Sequence, residues 1–237
     1  MWKPLPPTEW RKFKAEKLKK WLNPVSLDSY TYKKADERYE NFMKQKRLMK
    51  ELLEELGEKV SDWELKAGPE RKAGWRGQEW FFNLLMDLQV ANIPELKTPY
   101  LSEEFFKVDL KKLGLTTQDW RSLYYNLGIG SDINIFNFGT IEIKTMKAEA
   151  ERFNVKKDSW DSRPSLYLAV LRNYDKEMLE FQFLGWLYGM QVYKLRVQPE
   201  NKFYPAYYFG ELKELRKPEA FLKMLFKISR AKPISRP

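Results

Sequence analysis

Residues 130–147 read GSDINIFNFGTIEIKTMK, and the fold turns on how they are understood. Asp132, Glu142 and Lys144 stand in two short runs that are otherwise apolar, β-branched or turn-forming. Asp, Glu and Lys are poor strand formers, and a carboxylate carried into a fold has to be paired or bound to a cation. Side chains alternate along a strand, so Ile133 and Ile135 take one face while Asp132 and Asn134 take the other. On the second run Ile141 and Ile143 share a face, with Glu142 and Lys144 opposite. Asn137 and Gly139, in the FNFG between the runs, suit a tight turn, and the stretch reads as a hairpin.

Register decides whether the polar faces coincide. A three-residue loop, Phe136 to Phe138, with Gly139 serving a bulge, sets Asp132 across from Glu142. Directly opposed Cβ atoms lie about 4.5 to 5.5 Å apart, close enough for two carboxylates to share one cation. Without a cation or a basic neighbour the pair is a like-charge contact, and Lys144 on the same face is such a neighbour. Glu-x-Lys also occurs at Glu64–Lys66, Glu95–Lys97 and Glu211–Lys213. Those copies follow a charged linker, lie between prolines, or open a charged tail that reads as helix. Only Glu142 is flanked by β-branched residues and preceded by an Asp-bearing strand.

Around the hairpin, the chain has the composition of a folded protein, with 43% hydrophobic, 16% aromatic and 32% charged residues among 237. It is long enough for one large domain, or one domain with an extension. No apolar run approaches the roughly 20 residues that span a bilayer, and MWKPLPPTEWRKFK has no signal-peptide core, so a cytoplasmic location is expected. There is no cysteine and no histidine. That excludes disulfides, thiol nucleophiles, His-based triads and Cys/His zinc sites. Acid–base and metal chemistry fall to Asp, Glu, Lys and Tyr, and a carboxylate site favours the hard cations Mg²⁺ or Mn²⁺. The net charge of +10 points to a polyanionic partner, nucleic acid ahead of an anionic membrane. Abundant Lys and Glu without Cys or His also hints at a thermophilic source.

Spacing divides the chain into three regions. Thr8 to Leu22 reads as a basic helix with Thr8 as N-cap. The stretch 33–60 then carries Tyr39, Phe42, Met43, Leu48, Met49, Leu52, Leu53 and Leu56 at helical intervals, with Gly57 as its stop. A charged connection over 63–72 leads to a second amphipathic helix, GWRGQEWFFNLLMDLQV, closed by Pro94. A short helix is expected near 116–127. Strands are expected at 132–136, 140–145, 165–171 and 181–187, with another near 192–197, before a helical tail. The order is helices, a meander of strands, then a helix, an α/β or α+β arrangement. Residues 1–70 form an N-terminal helical basic arm, which either packs on the remainder or clamps DNA or a second copy. The aromatic cluster GWLYG…YPAYYF reads as core or interface rather than as a base-stacking platform.

Asp132, nine intervening residues and then Glu142-Ile143-Lys144 resembles the signature of the PD-(D/E)XK nuclease superfamily. The resemblance implies a restriction-endonuclease-like α/β fold over 71–237, a mixed central sheet flanked by helices, here with the N-terminal extension. It implies Mg²⁺ or Mn²⁺ held by Asp132, Glu142 and the Ile143 carbonyl, with Lys144 assisting. Glu79, on the preceding helix, is the residue that completes the site by the same resemblance. Arg71, Lys72 and Arg76 before it, and Lys147, Arg152, Lys156, Lys157 and Arg163 after the motif, are candidate phosphate contacts. The expected activity is metal-dependent hydrolysis of DNA, ahead of RNA, with a homodimer compatible with a double-strand cut. The other expectation is a non-catalytic DNA-binding protein of replication or mobile-element maintenance.

Overall fold

The structure is a computed structural model that describes residues 15–16, 19–60, 69–87, 94–96, 114–126, 131–135, 138–175, 177–201 and 204–228. The expected N-cap Thr8 and most of the first basic helix lie outside these residues, although 19–21 are helical.

The strands are β1 (Val25–Ser26), β2 (Pro94–Leu96), β3 (Ile133–Ile135), β4 (Gly139–Met146), β5 (Arg152–Lys156), β6 (Tyr167–Asn173), β7 (Glu180–Tyr188), β8 (Arg196–Gln198) and β9 (Tyr207–Glu211). The helices are α1 (Ser29–Glu55), α2 (Pro69–Asp87), α3 (Thr117–Asn126), α4 (Lys157–Ser162), α5 (Gly189–Val192) and α6 (Pro218–Ile228). Six strands form a mixed sheet in the order β1-β7-β6-β4-β3-β2, and three form a smaller sheet in the order β5-β9-β8. All neighbours are antiparallel except β4 and β6. A parallel pair needs a crossover, and the chain uses it to carry β5 and α4 out to the second layer.

The main sheet is buried on both faces. On one, Ile133, Ile135, Ile141 and Ile143 meet Trp80, Phe81 and Leu84 of α2 and Phe221 and Leu225 of α6. On the other, Met146, Leu168, Val170 and Leu187 meet Phe153, Val155 and Tyr208 of the small sheet, with Trp160 of α4. β6 serves both cores, which is why its sequence YLAVL is apolar without alternation. Phe221 gathers the first core: its ring lies 5.3–6.2 Å from those of Phe81, Phe138, Tyr167, Phe183 and Trp186.

The region read as an arm is tied to this body. Val25 and Ser26 pair with Phe181 and Glu180, and Trp21 sits in the α2 core. α1 begins where Asp28 accepts the Thr31 amide and ends where Glu58 N–H reaches the Leu53 carbonyl and Gly57 N–H the Glu54 carbonyl. Gly57, at φ +86°, supplies the left-handed residue that this stop requires. Its buried stripe runs through Tyr39, Met43, Met49 and Leu53, and also through Arg38, Gln45 and Lys46. Lys46 donates to the Tyr124 carbonyl at the end of α3, so a charged residue lies inside an apolar seam.

Several elements differ from the sequence expectation. α2 starts at Pro69, earlier than the expected Gly74, since proline is well placed in a first helical turn. The strand expected near 192–197 is the end of α5 followed by the shorter β8. Glu211 ends strand β9 rather than opening a helix, and α6 begins only at Pro218. β5, with its alternation of exposed and buried residues, and β9 were not anticipated.

Phe221→Ala is expected to cost about 3–5 kcal/mol, because a fully buried ring leaves a cavity among five others. Met190→Ala, at a residue 74% exposed, is expected to change stability by no more than about 0.5 kcal/mol. Urea unfolding midpoints of the two variants check this.

Candidate active site on the β3–β4 hairpin

The hairpin register pairs Ile133 with Ile141, Asn134 with Thr140 and Ile135 with Gly139. The loop therefore holds three residues, 136–138, and the register continued one step sets Asp132 across from Glu142. Gly139 takes φ +123°, a conformation open to glycine and strained for a residue with a Cβ. The hairpin is pinned to its neighbours on the far side. Thr140 Oγ1 accepts the Leu166 amide, and Ser165 donates to Ser131 across a buried 2.8 Å bond.

At Asp132 the two strands part. Asp132 N–H still reaches the Ile141 carbonyl, but among the described residues β3 offers no ladder partner to the next position, Ile143. The Asp132 carboxylate takes its place and accepts the Ile143 amide at 2.6 Å through Oδ2. A buried N–H left bare there would cost about 1–3 kcal/mol. N–H and C=O of a strand residue point to the same edge, so the Ile143 carbonyl faces the same notch.

The remaining Asp132 oxygen accepts a hydrogen bond from Gln78 Nε2 of α2 at 2.7 Å. α2 comes this close because Gly77 lies against β4, where an added Cβ would stand 2.4 Å from Thr145 Oγ1. Lys144 Nζ donates to Glu142 Oε1 at 2.6 Å. Their side chains keep 32% and 16% exposure, so the notch opens to solvent from the Lys144 side. Burial, and then the charge of Glu142, raises the Asp132 carboxyl well above the usual carboxylate range, against Lys144 and the Ile143 amide. Burial pushes Lys144 down, but Glu142 and Asp132 more than offset it and hold the ammonium above its ordinary value.

The structure brings Asp132, Glu142, Ile143 and Lys144 together. Glu79 is 1% exposed and is engaged instead by two residues of α1, Arg38 at 2.8 Å and Lys34 at 4.0 Å. Its neighbour Gln78 is the α2 side chain that touches Asp132, and Arg38 acts on Asp132 as a nearby positive charge. Gln78 and Arg38 escaped the sequence reading. Consecutive polar residues on a helix face different ways, and no pattern in the sequence says which one meets the hairpin.

Of the candidate phosphate contacts, Arg76 binds Asp36 through two hydrogen bonds and also the Glu177 carbonyl, and Lys72 pairs with Glu40 at 3.0 Å. Both bridge α2 to α1, and Arg71 lies half-buried on the same turn. Lys157 pairs with Asp161 within α4, and Arg163 is exposed at the end of that helix. Lys147 and Arg152 are exposed and Lys156 half-buried, on β5 and the turn that leads to it from β4.

The donor set can be tested for a cation. Two carboxylates that repel each other and a carbonyl on one notch suit a hard divalent ion, which would offset the burial and the Glu142 charge that lift the Asp132 carboxyl. Among the described residues, no group of three or more His, Cys, Asp or Glu side chains is placed to hold a metal. Such an ion would therefore rest on Asp132, Glu142 and the Ile143 carbonyl.

No protein-family model, curated protein or solved structure matches the chain. Among the described residues, no helix is long and apolar enough to cross a membrane.

A carboxyl whose pKa is raised in the folded state adds stability below its unfolded value of about 4, and that contribution is lost as pH rises through the folded value. Asp132→Asn can still accept the Ile143 amide but carries no charge. The stability difference, Asp132→Asn minus wild type, is expected to grow as pH rises from 4 to 8 without divalent metal. Urea titrations across that range check the sign.

Proposed function

We propose that this chain is a metal-dependent nuclease that hydrolyses phosphodiester bonds in DNA, on a restriction-endonuclease-like fold. The observation that carries the reading is the convergence, at one strand fork, of two carboxylates, a carbonyl and a lysine. The surroundings support it: the hairpin lies inside a mixed sheet, and the preceding helix packs directly on it. A divalent cation held by Asp132, Glu142 and the Ile143 carbonyl supplies charge neutralisation and activation of water.

The chain's own residues do the positioning. Gln78 and the Ile143 amide fix the Asp132 carboxylate, leaving it little freedom to turn. Lys144 is a compact cation at the solvent side of the notch, able to orient a water and to stabilise charge on a phosphoryl oxygen. It must leave Glu142 to do so, and an incoming phosphate offers it an alternative partner. Glu79 acts by holding Arg38 beside Asp132.

A non-catalytic DNA-binding protein, of the kind used in replication or mobile-element maintenance, is the second reading. One observation favours it: both Asp132 oxygens are engaged by donors and Lys144 neutralises Glu142, so the cluster is satisfied without substrate.

End-labelled single-stranded, duplex and branched DNA incubated with Mg²⁺, Mn²⁺ or EDTA separates the two. Cleavage is expected with either metal and not with EDTA. Lys144→Ala is expected to slow it by about 10²–10³-fold, and Asp132→Asn to abolish it. Salt-sensitive binding without cutting, unchanged in both variants, would sink the nuclease reading. In parallel, millimolar Mg²⁺ or Mn²⁺ is expected to raise the thermal midpoint of the wild type and to leave Asp132→Asn unmoved.

A further inference from the structure

The hairpin chemistry leaves one well-defined surface unused, the outer face of the β5-β9-β8 sheet. Cross-strand partners share a face, and the registers place Lys156, Tyr207 and Gln198 in one row and Asn154, Phe209 and Arg196 in the next. Arg152 and Glu211 follow. The intervening residues Phe153, Val155 and Tyr208 turn inward to the core. Tyr207 and Phe209 thus stand half-buried on an open sheet face, their ring centroids 6.2 Å apart, with the exposed Arg196 and Arg152 about them. Stability alone does not call for such rings outside the core.

The face runs into the hairpin site. Burial raises the Tyr207 phenol, and the charge of the Lys144 ammonium opposes that rise. A cavity of about 290 Å³ lies where the face meets the hairpin, lined by Lys144, Thr145, Arg152, Asn154, Asn173 and Phe209. Asn173 is 8% exposed, and its Oδ1 has no hydrogen-bond partner among the described residues. A buried polar atom left unpaired is costly, and a ligand that brings a donor into the cavity beside Asn173 would satisfy it.

We infer that this face binds an unpaired strand of DNA and leads it into the hairpin site, with bases against Tyr207 and Phe209 and phosphates against Arg152, Lys156 and Arg196. One base enters the cavity and offers its hydrogen-bonding edge to Asn173. The destination of the strand rests on the nuclease reading, whereas the binding itself does not. A single strand is favoured over a duplex because its bases expose faces for stacking, and each aromatic ring uses such a face whatever the sequence. An acidic protein would use the arginines and have no need of the rings.

Fluorescence anisotropy with labelled oligo(dT), in EDTA so that nothing is cut, tests the binding. Oligo(dT) is expected to bind more tightly than a duplex of equal length or poly-glutamate. Tyr207→Ala and Phe209→Ala are each expected to weaken it by about tenfold. Tyr207→Phe keeps the ring and is expected to retain affinity, and Arg196→Ala is expected to reduce the salt slope by about 0.7. Phe209→Leu preserves apolar packing without the ring and is expected to fold as the wild type, so its loss of affinity reports stacking. Equal binding of duplex or poly-glutamate, or unchanged affinity in Phe209→Leu, overturns the proposal. Ring-dependent binding without Mg²⁺-dependent cleavage upholds this face and overturns the nuclease reading alone. Cleavage with ring-independent binding does the reverse.

Discussion

β4 belongs to two cores at once, and the site follows from that constraint. Ile141 and Ile143 must reach the helices of one layer while Met146 reaches the small sheet on the other. The alternating positions between them, Glu142 and Lys144, then have to point into the second layer near its edge, where space and water remain. The strand has β6 along one side over residues 141–146 but β3 along the other only as far as Ile141. A central strand that outlasts its neighbour leaves backbone groups unpaired, and Asp132 is the residue that supplies the missing acceptor. One carboxylate thus completes the strand edge, and two donors, Gln78 and the Ile143 amide, fix its position.

The hairpin was legible because its signals are local. Alternating Ile residues, a turn glycine and the spacing of Asp132 to Glu142 all lie within a few residues, and the three-residue loop follows from them. α1 and α2 were legible from apolar spacing, and Gly57 marks the stop of α1. What could not be read depends on contacts far apart in sequence. The buried Arg38 and the choice between Gln78 and Glu79 follow from how α1 and α2 cross, which no period encodes. β5 and β9 were hidden because their alternate residues are arginine, asparagine and lysine, or two aromatic residues on opposite faces. Tyr207, Tyr208 and Phe209 look alike in sequence, yet Tyr208 enters the core and its neighbours remain on the surface.

Electrostatics partition the molecule. Much of the basic surplus near α2 is spent internally: Arg76 on Asp36, Lys72 on Glu40 and Arg38 on Glu79 weld α1 to α2 across an aromatic seam of Tyr39 and Trp75. These pairs leave the α1–α2 layer less able to attract an anion than its sequence suggests. Around β5 the balance differs, since Lys147, Arg152 and Arg196 stand exposed to solvent.

The edge of β7 shows how the N-terminal segment earns its place. A nine-residue strand reading EFQFLGWLY, with its outer hydrogen-bonding groups bare, is a template on which another chain can add a strand. Here that edge is shut from both ends. Val25 and Ser26 cover its start, and Arg216 exchanges two backbone bonds with Trp186 near its finish. The close approach at Arg216 is possible because Gly185 has no Cβ to meet the Arg216 carbonyl, which would stand 2.5 Å from it. Two short pieces of chain, one from before the sheet and one from after it, thus act as gatekeepers against self-assembly.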